Sequence, residues 1–231
     1  MTLPGSPLAL LAVGFVLGLR HALDVDHLAA VSTIVSQRRS FWSAALIGAL
    51  WGVGHTAALL AAAVAVIGLH VEIPERVSDA LELGVAAMLV LLGANLLRTL
   101  WTGGTVHQHV HVHDGVVHAH PHVHAGAHVH RPIGRKPFYV GLVHGLAGSG
   151  ALMLAVLATI PSPALALAYV GIFGIGSVGG MIAMSAVLAV PFALTTARFG
   201  HVELALQASA AVASMAVGVA LAWQLGAFGW T

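Results

Sequence analysis

The sequence predicts an all-α integral membrane protein with about six transmembrane helices, arranged as an inverted repeat of three plus three. Of the 231 residues, 58% are hydrophobic and only 7% are charged, whereas soluble domains carry roughly 25% charged residues. Six apolar stretches each reach the roughly 20 residues that a membrane helix needs. A soluble fold of this length cannot bury so much apolar surface, so we expect lipid around the helices.

The six predicted spans divide the chain into two halves joined by a polar loop. Residues 1–7 carry no basic residue before the first apolar stretch, so we expect a retained membrane helix there rather than a cleaved signal peptide. The fifth span is predicted to be interrupted by glycines and Pro191. The spans are residues 8–35, 41–69, 80–101, 138–160, 164–195 and 202–228, within halves 1–101 and 138–231 and around a loop at 102–137.

Basic residues in the short loops predict the orientation. They follow the first, third and fifth spans, whereas the loop after the second span is acidic on balance and the loop after the fourth is uncharged. Because basic loops stay in the cytoplasm, both termini are predicted outside and the loop at 102–137 inside. The basic residues concerned are Arg38, Arg39, Arg131, Arg135, Lys136 and Arg198.

A weak internal repeat relates the two halves. The run Gly-Leu-Arg-His-Ala that ends at Ala22 resembles Gly-Leu-Val-His-Gly ending at Gly145. Trp-Gly-Val-Gly from Trp51 resembles Phe-Gly-Ile-Gly from Phe173, at almost the same distance along each half. Three spans per half make the second half inverted in the membrane, an arrangement typical of transporters with a site near the midplane. The alternative is a chance likeness between glycine-rich apolar helices.

Charged and imidazole side chains crowd the second half of the first span. They are Arg20, His21, Asp24, Asp26 and His27. One aspartate or arginine at the bilayer centre costs about 2.5–3.5 kcal/mol on insertion scales. Arg20 can neutralise one aspartate, which leaves a second carboxylate and two imidazoles. Since the chain has no cysteine, histidine and carboxylate are the available metal ligands, and the crowding predicts an ion site.

Helical spacing divides this cluster. At about 100° per residue, with His21 at zero, Asp24 lies near 300° and His27 near 240°. A regular helix therefore offers these three to one ion. Asp26 lies at about 140° and faces another neighbour, unless the helix is broken, as transporter helices often are.

Two further histidines lie in glycine-rich parts of other spans. His55 follows Gly52 and Gly54, and His144 precedes Gly145. Each can be a packing residue or part of an ion pathway, and their places in the repeat favour the pathway. The predicted metal ligands are therefore His21, Asp24, Asp26, His27, His55 and His144.

The loop between the halves carries ten of the sixteen histidines. Turn-forming residues and the absence of helical periodicity predict a disordered or ion-ordered tract. Neutral imidazole binds nickel, cobalt, copper and zinc, so the loop is predicted to be a cytoplasmic metal buffer or sensor, and the alternative is a solvated linker. The histidines are His107, His109, His111, His113, His118, His120, His122, His124, His128 and His130.

Three motifs resemble those of the nickel/cobalt transporter family. The run from Arg20 to Leu28 resembles the family's signature, which is a histidine, four residues and then Asp-His. The run Gly-Val-Gly-His-Thr ending at Thr56 resembles the family's second motif. The run from Gly141 to Gly150 is similar to the branch found with urease genes and hydrogenase accessory permeases. The resemblance implies Ni²⁺ or Co²⁺ transport across the bacterial cytoplasmic membrane. It also implies that the first motif is essential for transport and that His55 is the histidine of the second motif.

Uptake of Ni²⁺ and/or Co²⁺ is the function this resemblance favours, with the metal as substrate and no resident cofactor. Efflux by the same fold, an intramembrane metal-dependent enzyme and a metal-sensing accessory subunit stay open as alternatives. Scattered basic residues argue against nucleic-acid binding. The expected partners are the metal ion and the lipid bilayer, and homo-oligomerisation is left open.

Overall fold

A computed structural model of the chain describes residues 6–38, 40–69, 74–102, 106–113, 116–123, 134–147, 160, 162–195 and 200–226, with the backbone alone at 106–123. Seven helices and one hairpin lie within these ranges. In chain order they are α1 (Pro7–His21), α2 (Val25–Val35), α3 (Phe41–Leu69), α4 (Glu75–Trp101), β1 (Val106–His113), β2 (Val116–Val123), α5 (Lys136–Gly145), α6 (Pro163–Thr195) and α7 (Gly200–Gln224).

Proline and serine mark several of the helix starts. Pro7 lies at the first position of α1, where the Oγ of Ser6 accepts a hydrogen bond from the Ala9 amide at 3.2 Å. Proline suits the first turn because the backbone N–H groups there have no acceptor within the helix, so the lack of one costs nothing. The serine side chain accepts a hydrogen bond from one of these first-turn amides. Pro137 and Pro163 hold corresponding places in α5 and α6.

The prediction of several helices able to cross a membrane is confirmed, which is compatible with a multi-pass membrane protein. Helices α3, α4, α6 and α7 are long and apolar enough to cross a bilayer, and the bent pair α1–α2 makes a fifth span if it is counted as one. These correspond to the second, third, fifth, sixth and first predicted spans. The fourth predicted span begins in α5, but residues 148–159 lie outside the described residues, so the count of six stays a prediction.

The first span is broken at the charged cluster. Helix α1 ends at His21 and α2 begins at Val25, with a bend of 53° between them. The break includes Asp24, whose backbone is extended (φ −62°, ψ 146°) and which stands at the N-cap of α2. The predicted angles assumed a regular helix, and this assumption is wrong at the break.

The predicted interruption at Pro191 is also wrong. Helix α6 runs from Pro163 to Thr195 with Pro191 inside it. Proline there removes one backbone donor near the end of the helix, and membrane helices tolerate such losses where neighbouring groups satisfy the freed carbonyl.

Glycines let the helices cross at backbone distance. Helix α1 packs on α6, and α3 packs on both α5 and α6. A Cβ added at Gly18 would collide with the backbone oxygen of Phe173, and a Cβ added at Gly141 would collide with that of Trp51. These four positions are the ones that the sequence repeat pairs with each other.

A second pair of close approaches follows the same pattern. A Cβ at Gly176 would meet the backbone oxygen of Phe15, and one at Gly54 would meet that of Phe138. Small residues at such crossings are what membrane helices use for close packing. The contact of α1 with α6 thus has a counterpart in the contact of α5 with α3.

Helices α4 and α7 pack antiparallel along their length. Ser214 donates a buried hydrogen bond from its Oγ to the backbone oxygen of Leu89 at 2.9 Å. Gly218, further along α7, lies against Ala86, which is earlier in α4. The beginning of α4 and the end of α7 therefore lie at the same end of the bundle.

Large apolar side chains lie on the outside of the bundle as well as in its core. Trp51, Ile47 and Leu89 are fully buried. Trp42 is 79% exposed and Trp101 is 91% exposed, near the start of α3 and at the end of α4. Tryptophan at helix ends is typical of the lipid–water interface, so this surface is suited to lipid.

The described part of the histidine-rich loop forms an antiparallel hairpin, so the predicted disorder is wrong there, and it adds two strands to an otherwise helical chain. The cause is the alternation of histidine with valine and other residues, which has the period of a strand. Strands β1 and β2 pair with His107 opposite His122, His109 opposite His120 and His111 opposite His118, while His113 lies opposite Val116. His124, His128 and His130 lie outside the described residues.

Candidate metal centre

The six predicted ligands meet at the break in the first span. His21 is the last residue of α1, Asp26 and His27 lie in the first turn of α2, and Asp24 lies between the two helices. His55 comes from the middle of α3 and His144 from the end of α5. His27, His55 and His144 are 1%, 0% and 2% exposed, so the cluster lies inside the bundle.

Three imidazoles form a first ligand group, His21, His27 and His55. Each offers one nitrogen, and these nitrogens all lie within 4.8 Å of one another. The Nε2 atoms of His21 and His55 are 3.2 Å apart. Two nitrogens about 2.0–2.1 Å from one ion stand roughly 2.9–3.4 Å apart at coordination angles of about 90–110°. The separation of these two Nε2 atoms therefore suits joint coordination of a metal ion.

Asp26, His27 and His144 form a second ligand group, whose ligand atoms also lie within 4.8 Å of one another. The Asp26 carboxylate accepts from His144 Nε2 at 2.8 Å and from His27 Nδ1 at 3.1 Å. It also accepts from the backbone amide of His27 at 3.0 Å. Because His27 belongs to both groups, the two candidate sites adjoin.

Carboxylates set the tautomers of three of these histidines. A carboxylate only accepts, so the nitrogen facing it carries the proton and the other nitrogen of a neutral ring carries the lone pair. Asp24 and Asp26 thereby leave the lone pairs on Nε2 of His21, Nε2 of His27 and Nδ1 of His144. The latter two atoms are buried without a hydrogen-bond partner among the described residues, as is Nδ1 of His55.

The aspartates take places different from those that helical spacing predicted. Asp24 accepts from Nδ1 of His21 at 2.7 Å and is 52% exposed, so it lies outside both ligand groups and orients the His21 ring. Asp26 joins His27 and His144 because the break turns α2 relative to α1. Arg20 is exposed, and histidines rather than this arginine contact both carboxylates.

Aromatic rings hold the imidazoles in place. The Trp51 ring stacks on His27 at a centroid distance of 5.8 Å and an angle of 10°, and Phe173 lies 5.5 Å from His21. Trp51 is fully buried. In the sequence these two residues served only to mark the repeat. Their position beside glycine runs was the available signal that they lie at the site.

Sequence reasoning also missed Glu82. This residue of α4 lies inside the third predicted span, where a carboxylate was itself a signal. A cavity of about 90 Å³ joins it to the second ligand group. The cavity is lined by Asp26, Glu82, Val85, His144, Ala147 and Leu221.

Comparison with known proteins finds one relative over most of the chain. The sequence is 33% identical over 198 residues to the urease accessory protein UreH of Bacillus sp. (strain TB-90), a match that covers 83% of this chain and 81% of that protein. No protein-family model matches the sequence. No solved structure matches it either.

Proposed function

Because this chain belongs to the family of the urease accessory protein UreH, we propose that it carries Ni²⁺ and/or Co²⁺ into the cytoplasm through the two adjoining ligand groups. The family indicates nickel handling and a non-enzymatic role. The observation that carries the proposal is the pair of buried ligand groups that share His27. A cluster of this kind inside a membrane protein is costly unless it serves an ion.

The unpartnered nitrogens support an ion rather than a packing role. His27 Nε2, His55 Nδ1 and His144 Nδ1 are buried without a hydrogen bond among the described residues. A buried polar group without a partner costs a few kcal/mol. A metal ion bound at His27 Nε2 or His144 Nδ1 removes this cost, because it takes a lone pair that Asp26 leaves on that nitrogen.

The ligand chemistry suits late first-row dications. Imidazole and carboxylate bind nickel and cobalt, and cysteine, which softer sites use, is absent. The carboxylates of Asp24 and Asp26 match the charge of a dication. The membrane potential contributes about 2.3 kcal/mol per charge per 100 mV, hence about 4.6 kcal/mol for a dication, which favours inward movement.

Two adjoining groups give the ion a stepwise route. In the proposed sequence the ion leaves His21 and His55 for Asp26 and His144 while His27 stays bound. Asp26 then gives up the hydrogen bonds that it accepts from the two histidines. The matched close approaches at Gly18 and Gly141 support an inverted repeat, whose halves rock to open the site to each side in turn. The basic loops support the cytoplasmic membrane with the hairpin in the cytoplasm.

Accumulation of radioactive nickel and cobalt by expressing cells tests this function. Uptake predicts a higher metal content than in cells without the protein, and efflux predicts a lower one. His21→Ala is expected to abolish the difference because it removes one of three imidazoles from the first ligand group. His201→Ala is the matched control, since His201 is exposed at the start of α7. Equal accumulation with His21→Ala and the parent protein would refute the assignment of the site.

Loss of the Asp24 carboxylate is expected to weaken nickel binding by about 10–100-fold, the usual effect of removing a group that orients a metal-bound histidine. Asp24→Ala frees the His21 ring to turn and to take the other tautomer. Titration of purified protein with Ni²⁺ by calorimetry measures the effect. Asp24→Asn keeps an acceptor for the His21 proton and should lose less. Equal affinity in all three proteins would show that Asp24 does not position His21.

The hairpin is expected to bind metal separately from the intramembrane cluster. Its register places three histidine pairs at directly opposed positions on one face. Replacing His107, His109, His111, His118, His120 and His122 with asparagine should lower the number of Ni²⁺ ions bound per chain while saturating flux stays within about twofold. Equilibrium dialysis and flux measure the two quantities. An unchanged stoichiometry would leave the loop as a linker.

A further inference from the structure

We infer that Glu82 is a metal-binding residue of a hydrated passage between the second ligand group and the end of the bundle where α4 begins. The inference rests on the proposed function and adds to it a residue and a route for the ion. Three features of the structure carry it: the cavity that joins Glu82 to Asp26 and His144, the position of that cavity, and the polar groups that line it.

The cavity lies near one end of the bundle. Glu82 is two helical turns from the first residue of α4, about 10 Å along the axis. Leu221, which also lines the cavity, is one turn from Gln224 at the end of α7. Because α4 and α7 are antiparallel, these two termini lie at the same end. The cavity thus lies between the buried cluster and that end.

The polar groups of the cavity face a mostly apolar wall of Val85, Ala147 and Leu221. His144, which lines it, is 2% exposed, and its Nδ1 has no partner among the described residues. Asp26 is 28% exposed. Glu82 itself is partly buried and makes no hydrogen bond or ion pair within the described part of the chain. A carboxylate in this position is stable only with water or a cation beside it.

The size of the cavity suits a partly hydrated dication. Its volume of about 90 Å³ exceeds several times the 10–15 Å³ that one water needs on the same measure. Glu82 and Asp26 together carry two negative charges, so they attract a dication and raise its local concentration. The ion keeps part of its water at Glu82 and loses more of it where Asp26 and His144 bind. Glu82 therefore helps to capture the ion and has less effect on its movement through the cluster.

Cysteine labelling tests the passage itself. The chain has no cysteine, so Glu82→Cys carries a single thiol for a charged methanethiosulfonate reagent in membranes. We expect this thiol to react and Ni²⁺ to slow the reaction at least about fivefold, because the ion occupies the passage. Leu83→Cys, at a 42% exposed apolar position next along the helix, should react little. Asp79→Cys, on the exposed start of α4, should react regardless of Ni²⁺.

Transport kinetics test the role of the carboxylate. Glu82→Gln is expected to raise the KM for Ni²⁺ roughly tenfold, as loss of local charge steering does, and to leave the maximal rate within about twofold. Glu82→Asp should restore most of the affinity. Asp79→Asn removes the same charge from the same end of α4 without touching the cavity and should leave the KM unchanged.

The outcomes separate this inference from the proposed function. If the parent protein carries no nickel, the proposed function fails, while nickel protection of Glu82→Cys still decides whether an ion enters the cavity. If the parent carries nickel and Glu82→Cys reacts no faster than Leu83→Cys, or Ni²⁺ does not slow its labelling, the passage is refuted alone. Labelling and protection together with an unchanged KM in Glu82→Gln would refute the role of Glu82 as a ligand.

Discussion

Replacing His27 with alanine is expected to lower both nickel binding and nickel flux by more than about 100-fold. His27 belongs to both ligand groups, so its loss leaves neither with three ligands. Removal of a group that only orients a metal ligand already costs about 10–100-fold, and loss of a shared ligand should exceed this. The same replacement at His55 or His144 removes a ligand from one group only and should cost less.

Calorimetric titration and flux in vesicles measure these losses in parallel. His27 also stacks on Trp51, so His27→Gln, which retains more of the side-chain volume, controls for packing. A thermal unfolding midpoint close to that of the parent separates loss of metal binding from loss of fold. If His27→Ala binds nickel as tightly as His55→Ala does, the two groups do not share a ligand.

Alanine at Gly141 is expected to destabilise the folded protein by about 1–3 kcal/mol, as overpacking of a close-packed interior does. The added Cβ would collide with the backbone oxygen of Trp51, and a backbone atom cannot move aside as the end of a side chain can. Because Trp51 stacks on His27, the shift should also reach the metal site. Unfolding in mild detergent measures the effect.

Gly84 supplies the matched control for this replacement. A Cβ there meets nothing within 4 Å, and alanine favours a helix over glycine by about 1 kcal/mol, so Gly84→Ala should keep or raise stability. Gly18→Ala collides with the backbone oxygen of Phe173 and should match Gly141→Ala if the halves are related by the repeat. Equal stability of Gly141→Ala and Gly84→Ala would contradict the close approach.

Hydropathy predicted the long apolar helices because the bilayer constrains helix length so strongly. The predicted bounds 41–69 coincide with α3, and 202–228 lies within a few residues of α7. The absence of helical periodicity does not by itself predict the pairing of β1 with β2, although the histidines of both strands recur at the period of a strand.

The composition of the site was easier to predict than its geometry. Histidine and carboxylate in an apolar helix identified the cluster, and the glycine repeat brought in His144. Angles around a regular helix could not predict the break, because they assume helical backbone at Asp24, where the backbone is extended. Asp24 and Asp26 consequently exchanged their expected places.

Glu82 shows a different limit of sequence reasoning. Its distance from Asp26 along the chain gives no sign of contact, and the acidic residues just before it suggest a solvated helix start. The packing of α4 against α2 and α5 brings it to the cavity beside Asp26 and His144. A carboxylate inside a predicted span is a local signal, but only tertiary packing shows which groups lie beside it.

Flux of radioactive nickel into liposomes that contain only the purified protein tests the central claim most directly. We expect time-dependent accumulation that a potential negative inside increases, since about 4.6 kcal/mol per 100 mV acts on a dication. Liposomes with His27→Ala should behave like protein-free ones. Parent protein that binds nickel but moves no more of it than protein-free liposomes do, with or without the potential, would contradict the claim that this cluster carries the ion across the membrane.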